Sequence, residues 1–216
     1  MTAPTTTDTD TELSAVNTIL GAIGQSPVTT LGTYTVNSNQ ISTYDNPEIA
    51  FIHNLLKESN IDVQNEGWHF NTEDHCHKTA DANGYLLFDT NALRMDFSNP
   101  QDKIHDVVRR NGRLYDKVNH TDVWKVGEEY TLDIVWLFDF DDIPSIFKRL
   151  ITYKAAGRAA TQMVTNAQLV QLLQAQEQSA RAACVEYECN QGDHNYLGFP
   201  HESSFNTYKP YIGLSR

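Results

Sequence analysis

His69, His75 and His77, with Cys76 between the last two, are the best metal-ligating candidates in the chain. Side chains on a strand alternate between faces, so His75 and His77 would share one face while Cys76 points to the other. Two imidazoles on a face can bind zinc, but a catalytic site needs a third protein ligand, and no spacing names one. The competing reading is a polar strand face, and the expectation is no bound metal, no cofactor and no metal requirement for folding.

Asp139, Asp141 and Asp142 form a second candidate. Two carboxyls about 5–10 Å apart could cleave a glycosidic bond. Yet these acids stand where a helix should begin, and capping and the helix dipole both favour acids there. Lys148, Arg149, Lys154 and Arg158 recur along the helix that follows. They could grip phosphates, but in an anionic protein they are expected to offset acidic helices or an acidic partner. Arg109, Arg110 and Arg113 flank a hairpin tip, a place for solvated charge or for contacts. The nucleotide-binding, zinc-protease, serine-hydrolase and EF-hand signatures GxGxxG, GxxxxGK[ST], HExxH, GxSxG and DxDxDG are all absent. Cys76, Cys184 and Cys189 are an odd set without a CxxC, read as reduced thiols of a protein made in a cytoplasm.

The elements that must position these residues follow from periodicity. A helix is expected from Thr11 to about Ile23, with Leu13, Val16, Ile19 or Leu20, and Ile23 at helical spacing and Gly24 as its stop. A polar loop, Gln25–Tyr44, follows, with room for a short strand near Val28. A second helix starts at Asp45 or Asn46 as N-cap, with Pro47 in the first turn, Ile52, Leu56 and Val63 inward, and Gly67 at its end. From Trp68 to Phe140 the period is two. Asn111-Gly112 between Val107-Val108 and Leu114-Tyr115 marks a hairpin, and Asn83-Gly84 a turn before a strand at Tyr85–Phe88. Val123–Val126 and Tyr130–Phe138 are expected strands, the second central because Ile134–Phe138 is apolar on both faces.

Helical spacing returns at Ile143 with Asp142 as expected N-cap and Pro144 in the first turn; Ile143, Phe147, Leu150 and Ile151 form its stripe. The alanines at 155, 156, 159 and 160 allow close helix approach. A fourth helix is expected over Ala167–Cys189, with Leu169, Leu172 or Leu173, Ala180, Ala183 or Cys184, and Tyr187 inward. The fold class is therefore α+β: a bundle of about four helices, an inserted antiparallel β domain and an extended C-terminal tail. The expected divisions are a flexible arm at 1–10, a bundle from 11–66 and 143–189, a β domain at 67–142 and a tail at 190–216. The tail carries Tyr196, Phe199, Phe205, Tyr208 and Tyr211 with no period and nothing of its own to bury against, so it should lie on another surface.

Composition bounds the partners. The 216 residues carry 16 bases and 28 acids, a net charge of −12, with 40% hydrophobic residues. That suits a globular chain and argues against general nucleic-acid binding. Residues 1–66 hold one base against eight acids, whereas 143–189 hold five bases against three acids, so the two bundle halves are complementary in charge. No apolar run is long enough to span a membrane. The threonine-rich Met1–Glu12 lacks the apolar centre of a signal peptide.

Three stretches together resemble one family. Glu12–Leu20 with Ile23-Gly24 and Pro27-Val28, then Glu66-Gly67-Trp68-His69-Phe70-Asn71, then Cys184–Glu188 with Gly192 and Asn195-Tyr196, resemble the tail tubular protein A family. Its members are head-to-tail adaptors of short-tailed bacteriophages. The hairpin Asn111–Asp116 also fits. The resemblance implies a helix bundle with a β domain and no catalysis. It implies a twelvefold homo-oligomeric ring beneath the portal vertex of the virion, between the portal protein and the tail nozzle (tubular protein B). Genomic DNA passes through the centre without specific binding, and an acidic lumen is expected, built from loops of the β region and acids near Asp139–Asp142. The expected partner contacts are Tyr196, Phe199, Phe205, Tyr208 and Tyr211, with Arg110 and Arg113 at the hairpin. The alternative is a tail-associated peptidoglycan-degrading enzyme using the Asp139–Asp142 cluster or the His75/His77 pair.

Overall fold

Four helices and five strands follow the sequence order in the computed structural model, which describes residues 10–31, 46–98, 105–164 and 166–191. The chain divides into two units. One is built from residues up to Glu66 together with Phe138–Glu186, the other around Gly67–Leu137. The fold is α+β.

In the first unit, helix α1 spans Glu12–Ala22. The Thr11 hydroxyl accepts from the Ser14 N–H at 3.3 Å and caps it. Gly24, at φ +79°, closes it as a Schellman motif: the Gln25 N–H reaches the Leu20 carbonyl at 2.8 Å and the Gly24 N–H reaches Gly21 at 3.1 Å. Helix α2, Pro47–Gln64, starts with Pro47 behind an Asn46 cap whose side chain accepts from Glu48 N–H at 2.8 Å. The buried faces of both helices pack on each other and on α3, Ser145–Ala159. Val16, Ile19, Ile52, Val63, Phe147, Leu150, Ile151 and Ala155 are all fully buried. Ala155, Ala156, Ala159 and Ala160 keep α3 slim where its neighbours approach.

Two details differ from expectation. Asp142 does not cap α3. Residues Phe140–Asp142 form a 3-10 turn instead, and Pro144 stands at the cap position with no side-chain bond. The residue before a proline is held out of the helical region, and Ile143 is extended at ψ 147°, so the helix begins too late for Asp142 to reach its N–H groups. At its other end α3 runs into a π-helical turn, Ala160–Val164. The last helix, α4, spans Ala167–Gln191 and buries only Leu173 and Cys184. Leu172 is 66% exposed, while Leu169, Ala180 and Tyr187 are half-buried.

In the second unit a three-stranded antiparallel sheet runs β1 (Thr72–Thr79), β5 (Glu129–Trp136), β2 (Ala92–Phe97). The central position of β5 matches its apolar character on both faces, with Ile134 and Val135 both buried. The hairpin β3 (Val107–Arg110) and β4 (Arg113–Asp116) turns on Asn111 and Gly112, at φ 50° and 72°. Two positive φ values in a two-residue loop define a type I′ turn, whose twist matches that of the strands. Leu86, Met95, Phe97, Leu114, Trp124, Leu132 and Ile134 share one core.

Two expected strands are not strands. Tyr85–Phe88 runs beside β4 and bonds it through Leu114 N–H to Leu86 O and Phe88 N–H to Gly112 O, both 2.9 Å, but forms only an isolated bridge at Leu87. Val123–Val126 is a loop. Trp124 plunges inward and its N–H bonds the Gly84 carbonyl at 2.6 Å, which leaves Val123 and Val126 more than half exposed.

Candidate functional site

The metal candidate loses its geometric premise. The β1–β5 register shifts between Glu73 and Cys76, and His75 sits in the left-handed region at φ 60°. A bulge interrupts the alternation that would place His75 and His77 on one face. The His75 N–H bonds the Asp133 carboxylate at 3.1 Å, and His77 Nδ1 lies 3.4 Å from Glu129. His69 precedes the strand. Among the described residues, no three His, Cys, Asp or Glu side chains gather to hold a metal.

The carboxylate cluster also lacks the features of an acid–base site. Asp139, Asp141 and Asp142 are all exposed around the 3-10 turn. Glycoside cleavage needs one carboxyl kept protonated by an apolar pocket. The clefts nearby are small. One of about 210 Å³ lies against Ser14, Thr18, Lys148, Arg149, Thr152 and Tyr153. That is below the usual range of roughly 300–1,000 Å³ for ligand sites.

The basic residues of α3 are mostly engaged within their own unit. Lys154 lies 3.9 Å from Asp62 of α2, and Arg158 pairs with the same carboxylate. Lys148 is buried and donates to the backbone carbonyls of Asp10 and Asp141 at 3.1 and 2.8 Å. This is the charge complementarity expected between the bundle halves. It leaves Arg149 exposed and no continuous basic stripe.

The hairpin presents an ordered set of arginines. Every arginine at its tip lies over an aromatic ring: Arg113 over Tyr85 at 3.5 Å, Arg110 over Tyr115 at 3.9 Å and Arg109 over Phe88 at 4.9 Å. Arg110 and Arg113 are directly paired across the strands. Opposed like charges destabilise a hairpin, so their stacking and the 3.3 Å Arg113–Asp122 contact are what hold them together. Alternation puts Val108, Arg110, Arg113 and Tyr115 on the outer face, beside Leu87, which is 57% exposed. Arg109 and Arg110 have no ion-pair partner among the described residues.

His105 and Asp116 anchor the base of this hairpin. His105 Nδ1 is 2.6 Å from the buried Asp116 carboxylate, which also accepts from the Val118 N–H at 2.8 Å and from Asn119 Nδ2 at 2.7 Å. Burial pushes the Asp116 carboxyl up, but the bonds from His105, Val118 and Asn119 outweigh it and hold it below its ordinary value of 3.8. A carboxyl depressed in the folded state contributes stability that is fully present above its unfolded pKa and lost as pH falls through the folded one. Wild type is therefore expected to lose stability relative to Asp116→Asn as pH drops below about 4. Urea midpoints of the two proteins at pH 3 and pH 7 measure this, and a constant difference between them would refute it.

Sequence reasoning found Arg110 and Arg113 but not their platforms, Tyr85 and Tyr115. The one signal for them was the alternation of Arg113 and Tyr115 on a single strand face. Tyr196, Phe199, Phe205, Tyr208 and Tyr211 lie outside the described residues. Among the described residues no helix is long and apolar enough to cross a membrane. The family model of the tail tubular proteins matches residues 13–194, a span that takes in the helices and strands of both units. Among curated proteins, none matches the chain.

Proposed function

Since the chain belongs to the tail tubular protein family, we propose that it is the ring-forming head-to-tail adaptor of a short-tailed phage virion. Membership makes it a structural component of a phage tail. In the finer reading, twelve copies form a ring between portal and tail nozzle, and the genome passes through the centre during ejection. The observation that carries this is a family match running through the helical unit and the β unit alike.

The aromatic tail, Tyr196 to Tyr211, docks in this reading on a neighbouring subunit or on the portal, since buried aromatics anchor interfaces. The lumen is acidic. Duplex DNA carries about one charge per 1.7 Å, and each basic contact adds grip, so an acidic wall lets the genome slide. Screening limits the effect to about 8–10 Å. Exposed Glu73, Asp74 and Asp96 of the β unit are available for such a wall.

Sedimentation of the purified protein, alone and mixed with portal, tests the proposal. The expected species is a ring of twelve 24.4 kDa chains that binds portal and loses that binding when the tail is deleted. A chain that stays monomeric even with portal, or that clears a peptidoglycan gel and stops doing so as Asp141→Asn or His77→Ala, overturns it.

A further inference from the structure

We infer that the outer face of the β3–β4 hairpin, with Arg110 and Arg113 stacked on Tyr115 and Tyr85, docks on the acidic Asp139–Asp142 turn of a second copy of this chain. The inference rests on the ring reading and names the surfaces by which neighbours meet.

The hairpin face is built to present guanidinium groups. A type I′ turn holds the backbone, and two tyrosine rings cover the flat faces of the Arg110 and Arg113 side chains. Stacking fixes each planar fork; Arg113 already donates through Nη1 to Asp122 at 3.3 Å, whereas Arg110 has no ion-pair partner among the described residues, and the remaining in-plane N–H donors suit carboxylates. Placing Arg110 opposite Arg113 costs the isolated hairpin stability, and an incoming anionic group would relieve that repulsion. Leu87 and Val123, both more than half exposed, supply apolar surface for a contact that a purely solvated charge patch does not need.

A carboxylate partner is available on the chain itself. Asp139, Asp141 and Asp142 are exposed, and among the described residues no cation pairs with any of them. The Lys148 amine at this turn goes to the Asp10 and Asp141 backbone carbonyls rather than to a carboxylate. Three carboxylates on a 3-10 turn braced by the buried Phe140 form a compact acidic knob. A contact between two different patches is heterologous, and repeated around an axis it closes a ring. Nucleic acid is the less favoured occupant, because Asp122 lies against Arg113 and the whole chain is at −12. Assigning Asp139–Asp142 to the interface leaves the lumen to acids of the β unit.

Reciprocal charge reversal on the full chain tests this. One variant carries Arg110→Glu and Arg113→Glu, the other Asp139→Lys, Asp141→Lys and Asp142→Lys. Each is expected to stay monomeric where wild type is assembled, with its dissociation constant raised at least ~100-fold. Mixed in equal amounts, they should assemble, because each face then meets an oppositely charged turn in an alternating ring. Circular dichroism confirms folding, and Arg110→Gln with Arg113→Gln is the milder substitute if the glutamates disturb the hairpin. Assembly of either variant alone, or a mixture that stays monomeric, overturns the interface while leaving the ring reading intact. So does a hairpin variant that loses duplex-DNA binding but assembles as before. Wild type that never assembles, with or without portal, overturns both.

Discussion

Trp124→Ala is expected to destabilise the β unit by about 3–5 kcal/mol, the range for emptying a large aromatic site in a packed core. Trp124 is only 7% exposed although it sits on a loop. Its ring lies 5.4 Å from Phe97, 5.4 Å from His105 and 5.5 Å from Tyr130, tilted or edge-on in each case. These are favourable aromatic geometries beyond simple burial. Its Nε1 donates to the Leu114 carbonyl at 3.1 Å, so truncation also orphans a buried acceptor on β4. The backbone at this point is equally constrained: a Cβ on Gly84, already at φ +80°, would come within 2.7 Å of the Trp124 carbonyl oxygen. Trp124→Phe should restore much of the packing but not the hydrogen bond, leaving a loss of about 1–3 kcal/mol. Urea denaturation measures both. A loss below about 1 kcal/mol for the alanine variant would show that this loop does not close the core.

Phe147→Ala is expected to cost the helical unit a similar ~3–5 kcal/mol. Phe147 is fully buried in the first turns of α3, the helix against which both α1 and α2 pack. Its loss therefore opens a cavity on the element that holds the other two together. Arg158→Ala gives the contrast. It removes an ion pair to Asp62 from the partly exposed α2–α3 seam, and such pairs contribute only about 0–1 kcal/mol. Chemical denaturation should separate the two variants by several-fold in lost free energy. If Arg158→Ala proved the costlier, charge rather than packing would join the bundle halves.

How much of this was legible beforehand depended on how local the signal was. The Gly24 stop, Asn46-Pro47 and the Asn111-Gly112 turn act within a few residues, where capping bonds and allowed φ values are set by the residues themselves. The inward faces of α1–α3 and the central place of β5 followed from periodicity, because burial and spacing are coupled. The Asp142 cap failed on a local rule, the restriction before Pro144, that outweighed the preference for acids at helix starts.

The remainder was decided by contacts distant in sequence. The same β-favouring pattern describes Val123–Val126 whether or not a partner strand exists. Here the Trp124 N–H makes a single backbone bond, to the Gly84 carbonyl, and the Trp124 side chain takes a core position. The bulge at His75 depends on register against β5, which no run of residues in β1 encodes alone. The hairpin arginines were visible as charges at a turn. What makes them a surface is Tyr85, brought beside Arg113 by a bridge at Leu87. By itself the sequence determined the helices, the turn chemistry, the charge balance between the bundle halves and membership of the tail tubular proteins. Only tertiary structure determined which polar groups are already engaged and which still face outward, because ion pairing and stacking are settled by distance in space, and that distance is a property of the folded chain.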